Sequence, residues 1–266
     1  MPKYIHGETD PDEVARLETQ ARFLARWILE GVEIGPGARV LDLACGTGAM
    51  ARRLRARFPD AHLVGCDLSA PQLAAARAEQ RRLRDVFPLV RCTGAALPFS
   101  DAWFDAIHCS WLLEHVPQRD TLAILAEARR ALRPNGTLYL CEVENDSLLF
   151  WPRLPLVEQC FRALWEAQAA GGGDPMIGRK LHGLCAGAGF HHIELLPTTQ
   201  HVHAGSPPGY YRGVLDEFAD ILRSARHALP PKLRPRVEEA CSQLLALQRE
   251  PGSSLTYTFF RARAQP

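Results

Sequence analysis

The segment Val40-Leu41-Asp42-Leu43-Ala44-Cys45-Gly46-Thr47-Gly48 constrains this chain more than any other. A short apolar run carries a carboxylate, a glycine loop follows at once, and a helical pattern begins behind it. That order predicts a strand that turns tightly into a helix. Glycines let the backbone come close to a ligand, and a helix N-terminus favours anionic groups. Gly46-Thr47-Gly48-Ala49-Met50-Ala51 also fits the dinucleotide-binding glycine pattern, which is weak when it stands alone.

The rest of the first half repeats the alternation. Apolar runs at Arg39–Leu43, His62–Cys66, Leu89–Cys92, Phe104–Cys109 and Thr137–Val143 predict strands. Helical patterns fill Gly48–Arg57, Pro71–Arg84 and Arg119–Leu132, and Pro134-Asn135-Gly136 predicts a turn. Strands that are apolar throughout, separated by helices, imply a parallel sheet covered on both faces. A helix precedes them, because Val14, Leu17, Ala21, Leu24 and Ile28 recur three and four apart. Asp10 as cap, Pro11 and Glu13 mark its start, and Gly31 its stop.

Beyond Glu144 the pattern changes. Ser147–Ala170 is rich in Leu, Phe and Trp and reads as helical past Pro155. A helix is expected over Arg179–Ala188 and a strand over His192–Leu196. Two more helices follow over Tyr210–Ala228 and Leu233–Gln248, then a strand from Ser254 to Arg261.

Asp42 separates the ligand classes. A carboxylate beside the glycine loop would repel a pyrophosphate, whereas a ligand bearing an ammonium and a sulfonium is welcomed there. Asp67 ends the second strand about 20 residues past the loop, where an acidic residue grips ribose hydroxyls. Asp67 or Ser69 could equally cap the next helix.

Three further segments extend the case. They are Thr93-Gly94-Ala95-Ala96-Leu97-Pro98-Phe99 with Asp101 and Phe104-Asp105, Ser110-Trp111-Leu112-Leu113-Glu114-His115-Val116, and Leu132-Arg133-Pro134-Asn135-Gly136. With the glycine loop and Asp67, in this order, residues 38–143 resemble the class I S-adenosylmethionine-dependent methyltransferases. The nearest branch is that of ubiquinone and menaquinone biosynthesis. Tyr4-Ile5-His6-Gly7 with Arg16-Leu17 and Gln20 resembles a lid helix of part of that family.

The resemblance implies one α/β domain over 1–266 with a Rossmann-like, doubly wound, mostly parallel seven-stranded sheet, its last strand antiparallel. Residues 1–33 would form the lid helix, 34–144 the cofactor-binding core, 145–190 and 206–250 helical cap insertions, and 254–262 the final strand. S-adenosyl-L-methionine is the implied cofactor. Asp42, Ala44, Gly46 and Gly48 would hold its methionine part, Asp67 its ribose, and Leu68, Gly94 and Ala95 its adenine. Ser110 would line the site, and Tyr4, Arg16 and Gln20 would close over it. One position departs: the family usually carries Asp where this chain has Thr93, so the adenine amino group would meet an uncharged acceptor.

The implied reaction is methyl transfer to oxygen, nitrogen or carbon of a small, apolar or aromatic acceptor. His115 is the candidate base, since imidazole titrates near neutrality. Phe150, Trp151, Phe161, Trp165, Met176, Arg179, Tyr210, Tyr211 and Phe218 are the candidates for the acceptor pocket. A net charge of +1 gives no general pull toward nucleic acid or an anionic membrane. No signal peptide or membrane span is read, and the eight cysteines contain no CxxC pair. A cytoplasmic protein without a metal is therefore expected. His201 and His203 would share one face of a strand, but no ligand set with metal spacing surrounds them. Two rival readings are a nicotinamide-dependent oxidoreductase and a non-catalytic cofactor-binding regulator.

Overall fold

The computed structural model describes residues 11–266, with side chains from residue 14. Tyr4, the His6-Gly7 motif and the Asp10 cap lie outside the described residues, as does the Glu13 side chain. The elements follow in chain order as α1 (Pro11–Ile28), β1 (Arg39–Leu43), α2 (Ala49–Arg57), β2 (His62–Asp67), α3 (Ala70–Leu83) and β3 (Leu89–Arg91). Then come β4 (Phe104–Ser110), α4 (Gln118–Ala131), β5 (Leu132–Trp151), α5 (Pro155–Ala170) and α6 (Leu181–Gly187). The chain ends with β6 (His191–His203), α7 (Tyr210–Ser224), α8 (Val237–Ala246) and β7 (Ser254–Gln265). Gly31, at φ 74°, turns the chain out of α1 as expected.

One seven-stranded sheet has the order β3-β2-β1-β4-β5-β7-β6. Strands β1 to β5 pair in parallel, and β7 runs antiparallel between β5 and β6. This is the Rossmann-like sheet with an antiparallel last strand that the family resemblance implied. Both faces are covered because the central strands are apolar on both. Leu41, Leu43, Ile107, Cys109, Leu138 and Leu140 pack under α4 and α6. Val40, Ala106, Tyr139 and Phe259 pack under α1 and α2. A third apolar cluster joins α5, α7 and α8 to the far end of the sheet.

The last three strands run longer than the sequence pattern predicted. β5 continues past Val143 to Trp151 through a bulge between Glu144 and Leu149. That bulge breaks the alternation from which a strand is read. β6 continues past Leu196 through Pro197 to His203. Proline is tolerated there because β6 is an edge strand. The turn expected at Pro134–Gly136 coincides with a register shift between Phe104 and Ala106 on β4.

Candidate functional site

The strand order reverses between β1 and β4, so a crevice opens beyond their carboxyl ends. A cavity of about 740 Å³ occupies it and continues into the space between α5 and α7. Arg16, Gln20, Asp42, Ala44, Gly46, Asp67, Leu68, Ala95, Ser110 and His115 all line it. Gly48 and Gly94 stand behind the wall. A Cβ on Gly48 would meet Arg52, Phe87 and Ala76, and one on Gly94 would meet Ile124 and Leu43.

The loop after β1 has its shape from left-handed residues. Ala44 (φ 59°), Gly46 (φ 52°) and Gly48 (φ 73°) alternate along it. The glycines adopt this region freely, whereas Ala44 carries backbone strain of about 1 kcal/mol. Asp67 fastens the loop: Oδ2 accepts from the Gly46 N–H at 2.8 Å, and Oδ1 from the Ser69 N–H at 2.8 Å. Ser69 caps α3 through the Gln72 N–H. Ser69 is thus the helix cap that the sequence offered, and Asp67 lines the cavity.

Asp42 sits at the end of β1 and is only 2 % exposed. Its Oδ1 lies 2.8 Å from His108 Nδ1 on the adjacent strand, at the paired register position. Its Oδ2 has no hydrogen-bond partner, nor has His108 Nε2. On the adenine side of the expected site, the Thr93 hydroxyl accepts from the Ala95 N–H at 3.3 Å. Cys45 also lines the cavity, but burial and then the Asp42 charge push its thiol far up, so it is no nucleophile at neutral pH.

A short turn after β4 carries His115. Glu142 on β5 holds this turn, with Oε1 accepting from the Leu112 and Leu113 N–H groups at 3.0 and 2.8 Å. Burial, and then the neighbouring Glu114, raise the Glu142 carboxyl to about 8. Gln168 on α5 donates to Glu114 Oε2 at 2.9 Å, and its Nε2 lies 3.4 Å from His115 Nδ1. Glu114 Oε1 lies 3.6 Å from His115 Nε2. Over the opposite wall, Arg16 on α1 donates to Glu217 on α7 at 2.6 Å, and Gln20 donates to the same oxygen at 2.9 Å.

The far end of the cavity is aromatic. Phe161 stacks with Trp165 at 6.1 Å, and Phe218 meets Phe161 and Tyr257 edge-on at 5.7 and 5.5 Å. Phe161, Trp165 and Phe218 are the only acceptor candidates from the sequence that line it among the described residues. Phe150 is core, and Tyr211 donates to Ser253. Tyr210 donates to Gln200, Arg179 pairs with Glu144, and Trp151 is 66 % exposed. Met176 does not reach the wall. His201 and His203 do share a face, with rings 5.8 Å apart. They sit on β6 away from the cavity, and no cluster of three metal-ligating side chains occurs among the described residues.

Sequence reasoning passed over His108, Glu142, Gln168, Glu217 and Tyr257. His108 and Glu142 did leave a trace, as polar residues inside otherwise apolar strand runs. Such residues are buried only where a partner meets them.

Comparison with known proteins agrees with this geometry. A family model described as a methyltransferase domain matches residues 40–136. An uncharacterized methyltransferase of Synechocystis is 31 % identical over 178 residues, covering 66 % of this chain and 76 % of that protein. A demethylmenaquinone methyltransferase of a Mycobacterium species is 42 % identical over 128 residues, 48 % of this chain and 51 % of that one. The chain spans about half the length of the first curated relatives it matches, 55, 52 and 51 %. The fold is shared with the Haemonchus contortus phosphoethanolamine N-methyltransferase 2 structure in complex with S-adenosyl-L-methionine. That likeness has a TM-score of 0.57 at 18 % identity, over 100 % of this chain and 56 % of that one. Sheet order, glycine loop and these relatives together place the chain in the class I S-adenosylmethionine-dependent methyltransferase family.

Proposed function

We propose that this chain transfers a methyl group from S-adenosylmethionine to oxygen, nitrogen or carbon of a small apolar or aromatic acceptor. One observation carries the reading: a single cavity joins the glycine loop to an aromatic chamber. The residues fit the donor. A buried carboxylate oxygen without a partner, Asp42 Oδ2, suits a ligand bearing hydrogen-bond donors and positive charge. It disfavours the pyrophosphate of a nicotinamide cofactor.

The bound donor supplies a methyl group on a sulfonium, which already has a good leaving group. The chain's own work is binding and alignment. Asp42, Ala44 and Gly46 hold the methionine part, with Ser110 beside it. Asp67 takes the ribose, and Leu68 and Ala95 the adenine. Gly48 and Gly94 let the wall pack closely behind. Arg16 and Gln20, tied to Glu217, close the site from α1, and Tyr4 is assigned with them. His115 serves as base where the attacking atom must lose a proton, with Gln168 and Glu114 steering its ring. Phe161, Trp165 and Phe218 shelter the acceptor. In this reading 1–266 acts as one unit, with 145–190 and 206–250 as its cap. The near-zero net charge supports a metabolite over nucleic acid. No described helix is long and apolar enough to cross a membrane.

Calorimetry with S-adenosylmethionine and, separately, with NAD tests the donor. Binding of the first alone is expected; binding of NAD alone would overturn the reading. Transfer of label from donor to a metabolite extract then separates an enzyme from a silent binding protein. Trp165→Ala is expected to cut that transfer while leaving donor affinity unchanged.

A further inference from the structure

Asp42 and His108 form a buried pair that the methyl-transfer reading does not explain. Asp42 is 2 % exposed and His108 1 %, on neighbouring strands in register. The 2.8 Å contact uses Asp42 Oδ1 and His108 Nδ1, leaving Oδ2 and Nε2 without partners. Only Asp42 reaches the cavity wall. A lone buried carboxylate is costly, and an imidazole at its side can offset that cost either as a neutral donor or as a cation. An orphaned Nε2 is tolerated in neither state without a penalty of about 1–3 kcal/mol. Packing alone is a poor reason to keep such a side chain at this spot.

We propose that His108 is a positioning residue for the methyl donor, and that the Asp42–His108 pair gives up a proton when the cationic donor docks. The inference rests on the donor assignment made above. Nδ1 fixes the plane of the Asp42 carboxylate and leaves Oδ2 as its open acceptor. Without ligand, a proton on the imidazole balances the carboxylate. When a ligand brings its own positive charge to Asp42, two cations face one anion in a poorly solvated place. The imidazolium proton then leaves to solvent, and the imidazole stays as a neutral Nδ1–H donor. Protonation and docking therefore compete.

The titratable and charged groups around the pair do not duplicate this role. Asp67 and Cys45 lie on the loop side, Cys109 follows His108 on β4, and Tyr139 and Cys141 flank it on β5. Burial pushes the three thiols well up, so they stay uncharged. The Tyr139 hydroxyl donates to the Glu33 carbonyl. Arg16 and Glu217, on the helices that close the cavity, are paired with each other. Glu142, its carboxyl raised by burial to about 8, acts on Cys109 from β5 but holds the turn that carries His115. His115 sits on the acceptor side, and His108 is the imidazole in contact with Asp42.

The test is calorimetry with S-adenosylmethionine at pH 5.5, 6.5 and 7.5, in two buffers of different ionisation enthalpy. This range stays below the titration of an α-amino group, near 8. The intact protein should bind about 5–10-fold more tightly at pH 7.5 than at pH 5.5, with proton release near the middle, as one coupled titration produces. His108→Asn keeps an N–H donor toward Asp42 but cannot titrate. It should bind within about threefold of the intact protein at pH 7.5, with no slope and no proton release. His108→Leu, which has no donor and cannot titrate, should bind about tenfold more weakly than the intact protein at pH 7.5, with no pH slope. Should His108→Asn fail a circular-dichroism check of folding, the pH profile and proton release of the intact protein decide by themselves. A flat pH profile in the intact protein, or an equal slope in His108→Asn, overturns the proposal and leaves the donor assignment standing. Absence of donor binding at all three pH values overturns both.

Discussion

Glu142 Oε1 accepts the backbone N–H of Leu113 at 2.8 Å, from the middle of β5 to the turn that carries His115. A fully buried carboxyl thus shapes one wall of the cavity without lining it. Its position makes the turn sensitive to pH in a way that can be measured.

Glu142 binds its proton more tightly in the fold than in the unfolded chain, its carboxyl rising to about 8. The folded state therefore holds more protons between about pH 4.5 and 8, and stability falls as pH rises through that window. The contribution is on the order of 2–4 kcal/mol across it. Glu142→Gln keeps an acceptor for the turn and has no proton to lose. Urea melts at pH 5, 6.5 and 8 should show the variant gaining on the intact protein as pH rises. A constant gap would show that Glu142 ionises normally.

Asp67 joins two roles, since its oxygens already hold the Gly46 and Ser69 N–H groups. Asp67→Ala should lower donor affinity about 100-fold, through lost ribose contact and a loosened loop, while the free energy of unfolding falls by only about 1–3 kcal/mol. Calorimetry and a denaturant melt measure the two effects. Unchanged donor affinity would remove Asp67 from the ribose site.

Gly213 is where α7 lies against α1, and a Cβ there would stand 2.2 Å from Phe23 Cζ. Alanine would be the better helix former by about 1 kcal/mol. Overpacking costs about 1–3 kcal/mol and should win because three ring atoms of Phe23 are in the way. Gly213→Ala is expected to lower Tm, and adding Phe23→Ala should recover more stability than independent changes allow. Strict additivity in the double-mutant cycle would show that the two helices do not meet as described.

His115→Ala should slow labelled-methyl transfer by about 100-fold, the usual worth of a positioned base. Donor Kd should stay within about twofold, because His115 belongs to the acceptor side in this assignment. An equal loss in both measurements would make it a binding residue. Full activity would mean that the acceptor needs no base here.

Much of the site could be seen in the sequence because its parts are local. The β1 strand, the Gly46 and Gly48 turn and the helix behind it are contiguous, and Asp67 follows at a spacing set by one strand-helix-strand unit. Arg16 and Gln20 were found through a lid pattern and do line the cavity, but their partner Glu217 is 201 residues away from Arg16 in the chain. Nothing local marks Glu217 apart from other acidic residues on amphipathic helices.

The order of apolar runs and helices determined by itself a parallel sheet covered on both faces, because a strand apolar on both faces must be buried on both. The carboxylates of Asp42 and Asp67 came with it, as punctuation at strand ends. Only the tertiary structure decided that His108 meets Asp42, that Glu142 meets Leu113, and that Phe161, Trp165 and Phe218 share one chamber. Strand register and helix docking bring those residues together. Both depend on packing between segments far apart in the chain, and no spacing along the chain encodes that.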